Sequence, residues 1–416
     1  MLHTDSIQTD CLIIGGGISG LTCCQELAKY GFKSVIIDKE PFLGGHAVHL
    51  TCKATQECQN CGACLVVESI RNTDASPDVS CFLSSRLEHI RFNDEIYESV
   101  IFQEPTRINP ELCDGCGECL QKCPVPGAIQ TPQGNIRPYI RTELCLHGQK
   151  LSCSACAEIC SRSAIDLADS GREIRVKSAA LVVAGGFEPF DPSLKPRFGY
   201  RRVPGVLTAL ELEKLLRRDQ LKLLGVEPAG PSIAFIQCVG SRDPKIGRNY
   251  CSQVCCAYAI RLACVLKFKT PSLRVTMFYM DIQNFERGLE HFVEHASEKI
   301  TFVRAIPAEI RKGKDGRPEV LYHGPGDERL WQSFDLVALS VGISPPERIP
   351  ALDFLERTLD GFWGNSGMDG ITDAPGIFVT GAAQGPKSIK DSIQQAVRTA
   401  GRTASYLMKP DRGARS

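Results

Sequence analysis

Two cysteine runs constrain this chain more than any other feature. The first is Cys113-x2-Cys116-x2-Cys119-x3-Cys123, followed at once by Pro124. The second, Cys145-x7-Cys153-x2-Cys156-x3-Cys160, repeats the pattern with a longer first gap and is the one internal repeat in the sequence. Thiolates spaced this closely can surround an iron–sulfur cubane, which is compact and prefers soft sulfur donors. In the bacterial C-x2-C-x2-C-x3-C-P run the fourth cysteine ligates the other cluster of a pair. That crossover assigns one 4Fe-4S cluster to Cys113, Cys116, Cys119 and Cys160, and the other to Cys145, Cys153, Cys156 and Cys123. A pair of zinc knuckles would share the C-x2-C spacing but leaves the full run and its proline unexplained. His147, inside the second motif, reads as a loop residue rather than a ligand.

The chain holds 21 cysteines in 416 residues, and a disulfide framework is the wrong explanation for so long a sequence. Asp5 and Asp10 precede the first apolar run with no basic region, which argues against a secretory signal. Two further groups stand outside the runs. Cys52, Cys58, Cys61 and Cys64 form one; Cys238, Cys251, Cys255 and Cys256 form the other. Each could hold a cluster, or residues of both could converge on one, giving one or two clusters beyond the first pair. Redox-active or merely buried thiols are the competing reading. Adjacent Cys255 and Cys256 are expected to split into one ligand and one packing thiol. Cys11, Cys23, Cys24, Cys81 and Cys264 read as core or incidental thiols.

Charge excludes other classes. Lys plus Arg equals Asp plus Glu at 48 each, so there is no counterion-release term for nucleic acid and no polybasic pull to a membrane surface. No apolar stretch is long enough for a membrane span. The chain reads as cytoplasmic.

Around the cysteine-rich stretch the pattern is α/β. The strand Asp10 to Ile14 enters Gly15-Gly16-Gly17-Ile18-Ser19-Gly20, a helical segment follows over 21–30, and the strand Ser34 to Ile37 ends at Asp38. This is a βαβ unit with G-x-G-x-x-G at Gly15, Gly17 and Gly20 and an acid at the distance that suits a ribose hydroxyl. Strands are expected at 179–184, 232–237, 274–279, 300–303, 336–340 and 376–380, with helices at 258–268, near 289–297 and at 389–407. Alternation of this kind predicts largely parallel sheets. The second strand-turn, Cys238-Val239-Gly240-Ser241, lacks the glycine fingerprint and offers a thiol where a phosphate would sit. The expected organisation is a FAD-binding domain built from 1–105, 171–230 and 336–416. It carries an inserted ferredoxin-like domain at 106–170 and a second nucleotide-binding-like α/β domain at 231–335.

The motifs Gln237-Cys238-Val239-Gly240-Ser241-Arg242-Asp243, Tyr250-Cys251-Ser252, Val254-Cys255-Cys256 and Tyr258-Ala259-Ile260 resemble the signature of the heterodisulfide reductase A-subunit family. So do Gly376-Ile377-Phe378, Gln384-Gly385-Pro386-Lys387-Ser388-Ile389 and Asp391-Ser392. The resemblance covers nearly all of 10–405. It implies an α/β, two-domain thioredoxin-reductase-like FAD fold with an inserted two-cluster ferredoxin domain, working beside other redox subunits of a larger complex. Similar subunits occur in the quinone-interacting complex of sulfate reducers and in the large benzoyl-CoA reductase of strict anaerobes. A homodimer within the complex is compatible with it.

The resemblance further implies electron transfer between 4Fe-4S clusters and flavin in an anaerobic oxidoreductase, extending to flavin-based bifurcation or confurcation. The expected FAD contacts are Gly15, Gly17, Gly20, Asp38, Lys39, Gly44, Gly45 and Gly185. The segment Gly381 to Lys387, with Ala382, Gln384 and Gly385, is expected to approach the flavin ring. Lys387 is the expected catalytic group, favouring an anionic reduced flavin at a helix start. Ala382 replaces the Asp of many flavin reductases and the Cys common in this family. No cysteine follows Cys264, so electrons that enter longer family members through a C-terminal ferredoxin module are expected to enter here through a partner. Two other readings stay open: a self-contained NAD(P)H-dependent flavin reductase, and a non-catalytic electron wire or scaffold. No nucleophilic triad or paired-carboxylate pattern points to group transfer.

Overall fold

The computed structural model describes residues 5–217, 231–283, 293–294, 296, 298–364 and 370–409. The expected helix near 289–297 lies mostly outside these. The chain opens with β1 (Asp5–Ile14), α1 (Ile18–Lys29) and β2 (Ser34–Ile37), and β1 pairs in parallel with β2. α2 (Ala63–Asp74) leads to β3 (Val79–Phe82), parallel to β2. β4 (Ser85–Asn93) and β5 (Ile96–Gln103) then form an antiparallel pair.

At Gln103 the chain leaves this sheet, and it returns at Arg172, its direct antiparallel partner. The excursion holds α3 (Glu118–Lys122), the short pair β6 (Ile129–Gln130) and β7 (Tyr139–Ile140), and α4 (Ala155–Ile159). It has a core of its own, built on Ile108, Cys119, Ile129, Ile140 and Cys156.

β8 (Arg172–Val183) is the spine of the first sheet, flanked by β1 on one side and by β5 on the other. Apolar residues pack on both faces of that sheet: Cys11, Ile13, Ile36 and Val182 on one, Leu12, Ile14, Val35 and Val183 on the other. Such near-continuous apolar runs are what a parallel strand covered on both faces requires.

β9 (Glu188–Pro189) carries the chain out to a second sheet. There β10 (Val206–Thr208), α5 (Ala209–Arg217), β11 (Ser232–Val239), α6 (Cys255–Lys269), β12 (Arg274–Phe278) and β13 (Thr301–Val303) follow in turn. β14 (Glu309–Lys312), β15 (Pro318–His323) and β16 (Arg329–Ser333) make an antiparallel layer. β17 (Leu336–Val341) completes the parallel order β10-β17-β11-β12-β13. β18 (Ile343–Ser344) returns antiparallel to β9, so both crossings between the units run side by side.

β19 (Ile377–Val379) rejoins β8, and α7 (Ile389–Leu407) packs against α1. Ser388 caps α7, its Oγ accepting from the Asp391 amide. None of the described helices is long and apolar enough to cross a membrane.

Candidate functional site

The turn after β1 is shaped by sterics. Gly15 has φ +112°, and a Cβ there would overlap the Ala184 carbonyl; a Cβ on Gly20 would overlap the Gly15 carbonyl. Gly17 is the N-cap of α1 with no side-chain cap, and a Cβ on it would meet nothing within 4 Å. Gly185, after β8, faces similar open space. The first amides of α1 therefore front a bare cradle that fits an anionic pyrophosphate.

Asp38 sits buried at the end of β2. Its Oδ2 accepts from the Gly16 amide at 2.6 Å and its Oδ1 from the Glu40 amide at 2.8 Å. Burial pushes its carboxyl up to about 6, partly opposed by those amides. Gly44 donates to the Gly16 carbonyl at 2.9 Å, tying the second glycine pair to the first, and Gly45 starts the next helical turn. Lys39 is otherwise engaged: Nζ bridges Glu188 and Glu347 at 2.9 Å each, on the connections between the two units. Gly381 donates to Gln395 of α7 at 2.9 Å, and Gln395 in turn bonds Gln384. Ala382 is buried and Gly385 half-buried in the same segment.

Between the units lies a cavity of about 300 Å³, mostly apolar, with His46, Cys61, Lys53, Glu213, Cys255, Tyr258, Gly342 and Lys387 on its walls. Its size and lining fit a flavin ring, with the start of α7 and the 44–46 turn on one side. Burial, then Lys214, lowers His49 on this wall to about 4.

A polar network that sequence reading missed closes one wall. Glu213 of α5 forms a buried ion pair with Lys53, accepts at 2.6 Å from the Thr51 amide, and accepts from Tyr258 Oη at 2.5 Å. Arg217 adds a bond to the Val48 carbonyl at 3.0 Å. Residues 48–53 belong to the first unit and α5 and α6 to the second, so this network joins them. Lys53 and Glu213 lie 160 positions apart with no motif between them, and the only sequence signal is a charged residue inside an apolar helix face.

Beside the cavity the second unit gathers Cys238, Cys251, Cys255 and Cys256. Cys238 ends the regular part of β11 in a left-handed conformation, φ 57°. Cys255 and Cys256 open α6 beside Cys238. Interaction with the Cys255 thiol holds Cys238 below the ordinary thiol range and brings Cys256 down to about 7. Arg242 stands next to Cys238 and forks onto Asp281. Of Cys52, Cys58, Cys61 and Cys64, Cys61 reaches the cavity and the other three are exposed.

In the excursion between β5 and β8 the cysteines ring two small cavities. Cys113, Cys116, Cys119 and Cys160 line one, and Cys123, Cys145, Cys153 and Cys156 line the other. Burial and then the neighbouring Cys113 and Cys116 push the Cys119 thiol up to about 11. Four crowded thiols of this kind fit a cluster whose iron charge reverses that shift. His147 contacts the Leu167 carbonyl at 3.1 Å.

A family described as a 4Fe-4S binding domain matches residues 106–126, and one described as an NAD(P)-binding Rossmann-like domain matches 13–56. The A subunit of the H(2):CoB-CoM heterodisulfide,ferredoxin reductase of Methanothermobacter marburgensis is 32% identical over 97% of this chain. Over nearly its whole length the chain is similar to heterodisulfide reductase A subunits. Another relative, the iron-sulfur A subunit of the CoB–CoM heterodisulfide reductase of Methanocaldococcus jannaschii, is 31% identical over 94% of the chain. The chain spans 65% and 63% of these two relatives, slightly under two thirds of their length. Among solved structures, thioredoxin reductase from Lactococcus lactis superposes with a TM-score of 0.54 at 14% identity, covering 96% of this chain and 99% of that one. Thioredoxin reductase from T. acidophilum gives 0.52 at 12% identity, covering 96% and 98%. The chain therefore has a thioredoxin-reductase-like α/β fold with a ferredoxin-type insert.

Proposed function

We propose that this chain is the FAD- and iron–sulfur-containing electron-transfer subunit of an anaerobic multi-subunit oxidoreductase. The observation that carries this reading is one of adjacency. Cys255 belongs to the four-thiol group and also lines the cavity that fits a flavin ring. When bound, the flavin exchanges electrons in pairs or singly and a 4Fe-4S cluster exchanges them singly, so a shared wall lets the two trade.

The residues have separate tasks. Gly15, Gly17 and Gly20 shape the pyrophosphate cradle, Asp38 receives the ribose hydroxyl, and the Gly381–Gly385 segment floors the flavin. The Lys53–Glu213–Tyr258 network holds the thiol-bearing unit against the cavity and keeps water from that wall. Lys387, on the cavity lining, supplies positive charge where a reduced ring gains negative charge. The two thiol-ringed cavities of the insert would hold one 4Fe-4S cluster each, and the Cys238 group a third. The insert at 106–170 goes with this reading, as do partner redox subunits and flavin-based bifurcation; the second unit extends beyond the expected 231–335, because β10, α5 and β17 join its sheet and core.

Direct NAD(P)H oxidation is disfavoured by the second unit. Its strand-turn carries Cys238 where a nucleotide phosphate would lie, and a Cβ on Gly240 would overlap the Phe190 ring, so Phe190 fills the turn. Mixing the anaerobic, FAD-loaded protein with NADH or NADPH in a stopped-flow cell should leave the flavin absorbance unchanged. Rapid bleaching by either would replace this reading with a self-contained reductase.

A further inference from the structure

On the two strands beside the Cys238 group, Gln237 and Ser340 carry three buried polar atoms with no partner among the described residues. On β11, Ile233 and Phe235 face the α6 core while Ala234 and Ile236 face the opposite one. Alternation therefore puts Gln237 on the α6 face. On β17, Leu336 and Ala338 face the same way, so Ser340 does too. The register passes from Ile236↔Leu339 to Val239↔Val341 across a bulge, so Gln237 and Cys238 together stand opposite Ser340 on the neighbouring strand. Gln237 is 7% exposed and Ser340 1%, yet Gln237 Nε2 and Oε1 and Ser340 Oγ make no hydrogen bond.

Buried polar groups are almost always paired, so three orphans at one spot point to a ligand. The spot is chemically defined. It lies at the carboxyl ends of parallel strands, under the first turn of α6, where Cys255 and Cys256 emerge and next to Cys238. An amide N–H and a hydroxyl are the donors that cluster sulfurs accept, and hydrogen bonds to those sulfurs set a cluster's potential.

We propose that Gln237 Nε2 and Ser340 Oγ donate hydrogen bonds to the sulfurs of a 4Fe-4S cluster carried by Cys238, Cys251, Cys255 and Cys256, and hold its reduction potential up. This rests on the cluster assignment made above and adds to it two positioning residues that are not ligands. Reduction places more negative charge on the sulfurs, and donors aimed at them stabilise that state more than the oxidised one.

The test is an EPR-monitored redox titration of the whole anaerobically purified protein, with iron and FAD content measured alongside. Gln237→Leu and Ser340→Ala should each leave iron and FAD at the unmodified level and move one cluster's midpoint to a more negative potential. The insert clusters should stay where they were. Unchanged midpoints in both variants, with all clusters present, would overturn the inference. Should Gln237→Leu fail to fold, Ser340→Ala and Gln237→Asn decide on the same readout. Cys238→Ser is the control for the underlying assignment: no loss of iron there would refute the cluster itself, a result distinct from an unmoved midpoint.

Discussion

The insert and the second α/β unit both gather cysteines, and they do so on opposite terms. In the insert two of the five buried core residues, Cys119 and Cys156, belong to the thiol rings themselves. Little apolar surface remains to order that segment without metal, as in other small metal-dependent modules. In the second unit the thiols sit at the rim of a core made by Phe235, Ile260, Leu262, Met277 and Leu336, which is complete without them. On the proposed assignment the insert is built around its clusters, whereas the second unit offers a finished scaffold to one.

The comparison breaks most visibly on iron removal. Chelation, or Cys119→Ser, should open residues 104–171 to protease while both sheets stay resistant. Cys238→Ser should lose one cluster and leave the proteolytic pattern unchanged. An insert that resists protease without iron would erase the contrast.

The next effect comes from the scaffold side. Lys53→Met leaves Glu213 buried beside Tyr258 without its cation, and removal of one partner of a buried pair costs about 3–5 kcal/mol. Denaturant unfolding of the second unit should show that loss, with the double change Lys53→Met and Glu213→Gln regaining most of it. Protection of the insert should not move. Equal destabilisation of both regions would mean that they are not independent.

The first unit carries a pH effect at Asp38. Asp38 titrates at about 6 in the fold against 3.8 for the free group, so the fold prefers the protonated acid. Its stabilising contribution is complete below 3.8 and is lost as pH rises through about 6. The loss is worth about 2–3 kcal/mol in the FAD-free protein. Asp38→Asn should therefore melt progressively higher than the unmodified FAD-free protein as pH goes from about 4 to about 7, while binding FAD more weakly. A constant difference between the two melts would contradict the buried placement.

The smallest effect is at Lys387, which is half-buried on the cavity lining. Lys387→Met should lower the flavin potential by the equivalent of about 1 kcal/mol, screening permitting, with cluster potentials unchanged. Flavin potentials identical to those of the unmodified protein would make it a solvated surface residue.

Features encoded locally were legible in the sequence. The strand Ser34–Ile37 and the helix 389–407 fall where periodicity and capping put them, while β1 begins at Asp5 rather than 10 and α1 spans Ile18–Lys29 rather than 21–30. The two cysteine runs were legible for the same reason, since cluster chelation demands short spacing. The first helix starts at Ile18 rather than 21 because Gly17 can serve as its N-cap. Contacts between distant segments were not legible. Nothing near Glu213 in the chain announces Lys53, and Gln237 reads as part of a motif, not as an unpaired donor. Lys39 reads as a cofactor contact because of its neighbour Asp38, but the crossing strands place Glu188 and Glu347 around it.

On the proposed assignment the scaffold and the insert both carry clusters in a chain that also holds FAD. Anaerobic iron, sulfide and FAD analysis of the purified protein and of Cys238→Ser tests it most directly. Two insert clusters and one scaffold cluster predict about twelve irons and one FAD per chain, falling to about eight irons in Cys238→Ser with FAD unchanged. About eight irons in both proteins, or about four in the unmodified one, would contradict it.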